Sequence, residues 1–200
     1  MDLETDMPER LFRLAKTACL AALLAAPAQA PAAAAANWKN DPERTHIAFA
    51  IDAVGYPRTH GEFRRFDGRI AVDFDHPDRS SVVFHALSQS VEVGSPSFDD
   101  FVRSEGFLNA ARFPSIDFVS KSVEKIDEHT VRVSGDLTLV GVTRPLSVDV
   151  AVQRRTAGAG QRLAFTARTT INRLEFGMNA GFPLVARDVE LVISSEAAEL

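Results

Sequence analysis

Five histidines, His46, His60, His76, His85 and His129, are the side chains of this chain best suited to moving a proton or binding a metal near neutral pH. No two of them form a close pair at metal-ligand spacing, and Cys19 is the only cysteine. A transition-metal or haem site is therefore not expected. There is no Gly-x-Ser-x-Gly elbow, no glycine-rich phosphate loop and no carboxylate pair at distinctive spacing. The expectation is a chain with no catalytic residue, no metal and no cofactor.

Two polar side chains remain as candidate contacts for a ligand head group. His46 opens a run whose next even positions are Ala48 and Ala50, and a local hydrogen bond is its simpler reading. Arg173 ends a strand-like segment beside an irregular connector. Its planar fork suits a phosphate or carbonyl, but equally a bridge to Glu175 or Asp188, and the bridge is the first expectation.

The elements that must position these groups are written with a period of two. In "GDLTLVGVTRPLSVDV", Leu137 and Leu139 share one side, the chain turns at Gly141, and Leu146, Val148 and Val150 share one side of the return arm. Asp136, Thr138, Ser147 and Asp149 take the other side, which gives an antiparallel hairpin with one apolar face. Similar patterns place strands at 45–54, 59–74, 80–93, 113–123, 131–140, 145–153, 163–171 and 189–193. One insertion interrupts them: Ser95 can cap a helix, Pro96 suits its first position, Asp99 and Asp100 favour its positive end, and Gly106 can stop it. Phe98, Phe101 and Val102 share a face of that helix, and a second connector, 173–186, carries Phe176, Met178, Phe182 and Leu184. Both segments could form a lid or cover one end of a core.

Eight antiparallel strands must stack as a sandwich or close on themselves. Closure removes the edges, and eight strands is the size at which an interior either fills with side chains or holds one small ligand. The expected fold is all-β, an eight-stranded antiparallel barrel with a short helical insertion. Its inward residues include Phe49, Ile51, Val72, Phe84, Phe118, Leu139, Val148, Val150, Phe165 and Ile171, and a filled core and a cavity stand equal on these alone. All but Phe12 of the 14 Phe lie beyond residue 36, with 1 Tyr and 1 Trp, so an apolar site would suit a hydrocarbon-like ligand; Phe as core filler is the blander reading.

Residues 1–36 read as a signal peptide with an Ala-rich cleavage region, and 37–200 as one domain. Arg10, Arg13 and Lys16 precede the apolar run 17–26, and Ala28-Gln29-Ala30 offers a small-x-small cleavage site. That run is too short to span a bilayer, so a stable membrane span is not expected. Acidic residues outnumber basic ones, 27 to 22, which argues against nucleic acid. Arg64-Arg65 and Arg154-Arg155 read as solvated positions.

Taken in chain order, "THIAFAI", "HGEFRRFDGRIAVD", "FVRSEGFLNAARFPSIDF", "VSGDLTLVGVTRPLSVDV" and "INRLEFGM" resemble the sequence blocks of the YceI-like family. The resemblance implies a lipocalin-like barrel, exported to the periplasm, whose tunnel holds a long isoprenoid chain in some members. It implies ligand contacts from Phe49, Ile51, Val72, Phe84, Phe101, Phe118, Leu137, Leu139, Val148, Val150, Phe165, Ile171, Phe176 and Met178, with His46 and Arg173 as head-group contacts. The partner it implies is an apolar isoprenoid-type lipid, polyprenyl or quinone-like, carried without catalysis; a homodimer is left open. The alternatives are a filled-barrel, stress-related interaction module, and an enzyme acting on an isoprenoid through His46 or His60.

Overall fold

The computed structural model describes residues 35–157 and 160–199. Most of the 1–36 segment read as a signal peptide, up to residue 34, lies outside the described residues. Alternating burial along the remaining chain drives a single sheet that closes into a barrel of eight staves. The first stave is β1 (Ala36–Asn40) followed by β2 (His46–Ala53), the second β3 (Thr59–Phe63) followed by β4 (Phe66–Val72), and the third β5 (Ser81–Leu87) followed by β6 (Val91–Glu92). Five unbroken strands complete it: β7 (Ser115–Lys125), β8 (Thr130–Leu139), β9 (Val142–Ala157), β10 (Gly160–Asn172) and β11 (Val185–Glu199). Each stave is antiparallel to the next. β11 closes the ring on the first stave, pairing Leu191 with Phe49 in β2 and Ala197 with Asn40 in β1.

The stave count matches the sequence pattern, while β1 and three interruptions do not appear in it. β1 begins at Ala36, inside the segment read as a cleavage region, and Trp38 is its one large apolar side chain. Between β1 and β2, Pro42 opens a single 3-10 turn capped by the Asp41 carboxylate, which accepts from Glu43 N at 3.1 Å. The second stave bends at Arg64-Arg65, where the Arg64 amide donates to Ser90 O (3.1 Å) and the Arg65 amide to Ser90 Oγ (3.0 Å). These corners keep inward residues inward across each break.

The outer face is held by polar cross-strand pairs. Arg132 donates to Asp149 at 2.7 and 3.0 Å, Ser134 meets Ser147 at 2.8 Å, and Lys121 lies 2.7 Å from Asp136. The hairpin between β8 and β9 turns on Val140 and Gly141, both with positive φ (51° and 73°), as a type I′ turn requires.

The helix, α1 (Pro96–Arg103), is shorter than its sequence signals imply. Ser95 stands at the N-cap without a side-chain bond, and Asp99 turns back to accept from Val93 N at 2.6 Å. The helix ends at Ser104, whose amide donates to Phe101 O, before Gly106 is reached. By the meander, α1, the 54–58 loop and the 173–184 connector share one end of the barrel, here called the upper end. The turns at 73–80 and 126–129 lie at the lower end. Among the described residues no helix is long and apolar enough to cross a membrane.

Candidate ligand-binding cavity

Two packed clusters leave the space between them unfilled. Toward the upper end, Ile47, Phe63, Val91, Leu108, Leu137, Leu139, Phe176 and Met178 form a core; toward the lower end, Trp38, Leu163 and Ala197 form a smaller one. The barrel encloses a cavity of about 1770 Å³ with lining residues from both ends. At about 30 Å³ per non-hydrogen atom, the share a water takes in the liquid, that is room for roughly 60 atoms. It exceeds the roughly 300–1,000 Å³ of an ordinary small-molecule pocket.

The alternation of the strands explains the lining. Phe49, Ile51, Val72, Phe84, Phe118, Leu137, Leu139, Val148, Val150, Phe165 and Ile171 all face the cavity from the staves, and Phe101 and Met178 face it from α1 and the connector. Phe176 does not: it is buried in the upper core. Glycines make room for the larger rings. A Cβ on Gly61 would lie 2.3 Å from Phe49 Cζ, and one on Gly68 would lie 2.9 Å from Phe84 Cδ2. Phe49 thereby reaches Phe63 at 5.7 Å between ring centroids, and Phe84 stacks on Phe66 at 5.8 Å.

The two head-group candidates separate. His46 lies outside the cavity, mostly exposed, with Nδ1 2.8 Å from Glu62 Oε1, which is the local-hydrogen-bond reading. Arg173 does line the cavity and is only 2% exposed. Its expected bridge to Glu175 or Asp188 is not made. Instead Nε donates to Ala186 O (2.7 Å), Nη2 to Val185 O (2.9 Å) and Nη1 to Met178 O, tying the middle and far end of the connector back to its start. Burial away from water lowers its affinity for the proton from the usual arginine value. The carbonyls of a folded-back connector won over nearby carboxylates, which periodicity cannot foresee.

The ends differ in chemistry. Tyr56, Phe98 and Phe101 are exposed at the upper mouth and also line the cavity, so an apolar path runs from outside to inside. His60 lies at this rim, exposed on β3. At the lower end Asp73 accepts from the amides of His76 (2.8 Å) and Asp75 (3.1 Å), and Asp127 from that of His129 (2.7 Å). Those amide bonds hold both carboxyls below their ordinary range, and Lys125 and Arg154 line the same end. Arg154, read from sequence as solvated, is indeed exposed; it stands at the rim of the cavity here, with its guanidinium 3.5 Å above the Phe74 ring. Asn40 and Ser195, which sequence reasoning passed over, also line the cavity and are buried. No grouping of three or more His, Cys, Asp or Glu side chains suited to a metal occurs among the described residues.

The family model for the YceI-like domain matches residues 38–197. The protein YceI of Escherichia coli O157:H7 is 33% identical over 174 residues, covering 85% of this chain and 91% of that one. Among solved structures, BcnA of Burkholderia cenocepacia superposes with a TM-score of 0.72 at 22% identity, over 78% of this chain and 98% of that one. A polyisoprenoid binding domain from Saccharophagus degradans, implicated in plant cell wall breakdown, superposes with a TM-score of 0.66 at 14% identity, over 83% and 99%.

Proposed function

The chain belongs to the YceI-like family, and from that premise we propose that it is an exported, periplasmic, non-enzymatic protein that carries or sequesters an apolar isoprenoid-type lipid, polyprenyl or quinone-like, inside its barrel. The observation that carries this reading is the cavity itself: about 1770 Å³, walled by alternate aliphatic and phenylalanine side chains of every stave, with an apolar rim at one mouth. The Saccharophagus domain, described as polyisoprenoid binding, supports the same ligand class.

The mechanism is desolvation. Each CH₂ moved from water into the cavity contributes about 0.8 kcal/mol, close to fourfold in Kd, less the cost of ordering the chain. The wall gives reach along the barrel rather than shape-specific contacts, so affinity tracks the length of the chain until the cavity is full.

Titration of the 37–200 protein with geraniol, farnesol and geranylgeraniol, followed by displacement of a fluorescent fatty acid, tests this. Ala167 lines the mid-barrel wall between Val150 and Ile193, so Ala167→Trp blocks the tunnel there. Affinity should climb steeply with each five-carbon unit in the wild type and level off early in the folded variant. Equal affinity for all three lengths, or no effect of the tryptophan, would remove the carrier reading.

A further inference from the structure

Inside the cavity wall, close to the break between β1 and β2, sit three buried polar residues: Asn40, Thr45 and Ser195. Thr45 and Ser195 satisfy each other, Oγ1 to Oγ at 2.8 Å, and Thr45 Oγ1 donates onward to Asp41 O at 2.7 Å. That chain fixes the Ser195 hydroxyl as donor to Thr45 and leaves its lone pairs free. Asn40 is 5% exposed, and its Nδ2 has no partner among the described residues.

Asn40 sits among small and aromatic neighbours, and the indole N–H of Trp38 is likewise buried with no partner among the described residues. Across the β1–β11 ladder it faces Ala197, itself fully buried, and Trp38 precedes it on the same face. One step beyond the Lys39–Arg69 pair on the other side stands Gly68, which brings no side chain. A buried amide without a partner carries a burial cost that a leucine of similar size would not. Both Asn40 and Ser195 line the cavity.

We propose that Asn40 and Ser195 form a polar seat for one neutral hydroxyl group of the ligand, an alcohol-terminated chain whose head lies in the lower part of the barrel and whose tail runs toward the upper mouth. This rests on the carrier reading and adds the ligand's end group and direction. A hydroxyl fits because it both donates and accepts. It can serve either face of the Asn40 carboxamide, whose oxygen and nitrogen exchange by a half-turn when no protein group fixes them. A phosphate does not fit. Arg154, on the same side of the sheet, is three strand spacings away, roughly 14 Å, through Leu163 and Ala197, and lies against Phe74. An anion at Asn40 would be buried without a cation. Arg173, at the other end, is committed to the connector's carbonyls.

The test measures geranylgeraniol and the corresponding hydrocarbon lacking the hydroxyl, on wild type, Asn40→Leu and Asn40→Ala. Asn40→Leu should weaken the alcohol by about tenfold, the size of one neutral hydrogen bond, leave the hydrocarbon within about twofold, and raise the protein's own melting temperature. Asn40→Ala serves if leucine disturbs packing, with the same preferential loss for the alcohol. Equal changes for the two ligands, or an unchanged alcohol, would overturn the seat while leaving the carrier intact. A wild type that binds neither chain would instead defeat the carrier reading.

Discussion

Gly61→Ala is the sharpest test of how the cavity wall is packed. The added Cβ would lie 2.3 and 2.5 Å from Phe49 Cζ and Cε1 and 2.7 Å from Val93 Cγ1. Carbon atoms rest at about 3.5–4.0 Å, so the Phe49 ring must move by more than ~1 Å and give up its approach to Phe63. Over-packing of this kind costs about 1–3 kcal/mol. In a domain of this size each kcal/mol is worth about 2–4 °C in Tm, so the melting temperature should fall by roughly 2–12 °C. In a Phe49→Leu background the ring is gone. Alanine in place of glycine also restricts the unfolded chain, which alone would favour folding by about 0.4–1 kcal/mol, so its net cost there should shrink to what the remaining Val93 contact leaves. Urea unfolding of the wild type, both single variants and the double variant gives the coupling energy directly. A penalty that is the same with and without the Phe49 ring would refute the packing described for this wall.

Three further outcomes follow from other parts of the fold. Gly141→Ala places a side chain at φ 73° with its Cβ 2.4 Å from Phe113 Cε1, and should cost about 1–3 kcal/mol in urea unfolding. Arg173→Met strips donors from the carbonyls of Met178, Val185 and Ala186 and should cost about 3 kcal/mol or more, with amide exchange rising first in the 173–186 connector. Asp73, Asp127 and Asp149 titrate below their ordinary value of 3.8 in the folded chain, Asp149 because Arg132 bonds it. The unfolded chain therefore takes up these protons first as pH falls, so stability should hold down to about pH 4 and drop below it. Asp149→Asn should shrink that acid loss.

How far the sequence speaks depends on which force set each feature. Strict alternation in 130–153 follows from one dry and one wet face, so Leu137, Leu139, Val148 and Val150 were legible as inward residues. The corners were not. Pro42, Arg64-Arg65 and Ser88–Ser90 break the first three staves through capping and backbone-to-serine bonds, which leave the period of two intact on either side. Whether the interior was full or hollow also lay beyond composition, because it depends on where the rings of Phe49 and Phe84 go. They fold over Gly61 and Gly68 on the neighbouring stave, which leaves space along the axis. Phe176 and Met178 look alike in sequence, yet only Met178 reaches the cavity. Asn40 gives no periodic signal, because a lone asparagine before Asp-Pro is equally compatible with turn chemistry.

Occupancy in the cell tests the central claim most directly. The 37–200 protein, purified without detergent from the compartment in which it accumulates, is extracted with organic solvent and analysed by mass spectrometry, with folded Ala167→Trp run in parallel. One isoprenoid-type chain per barrel in the wild type, absent from the variant, is the predicted result. A stable wild-type barrel that yields no such lipid and takes up no added geranylgeraniol would contradict it.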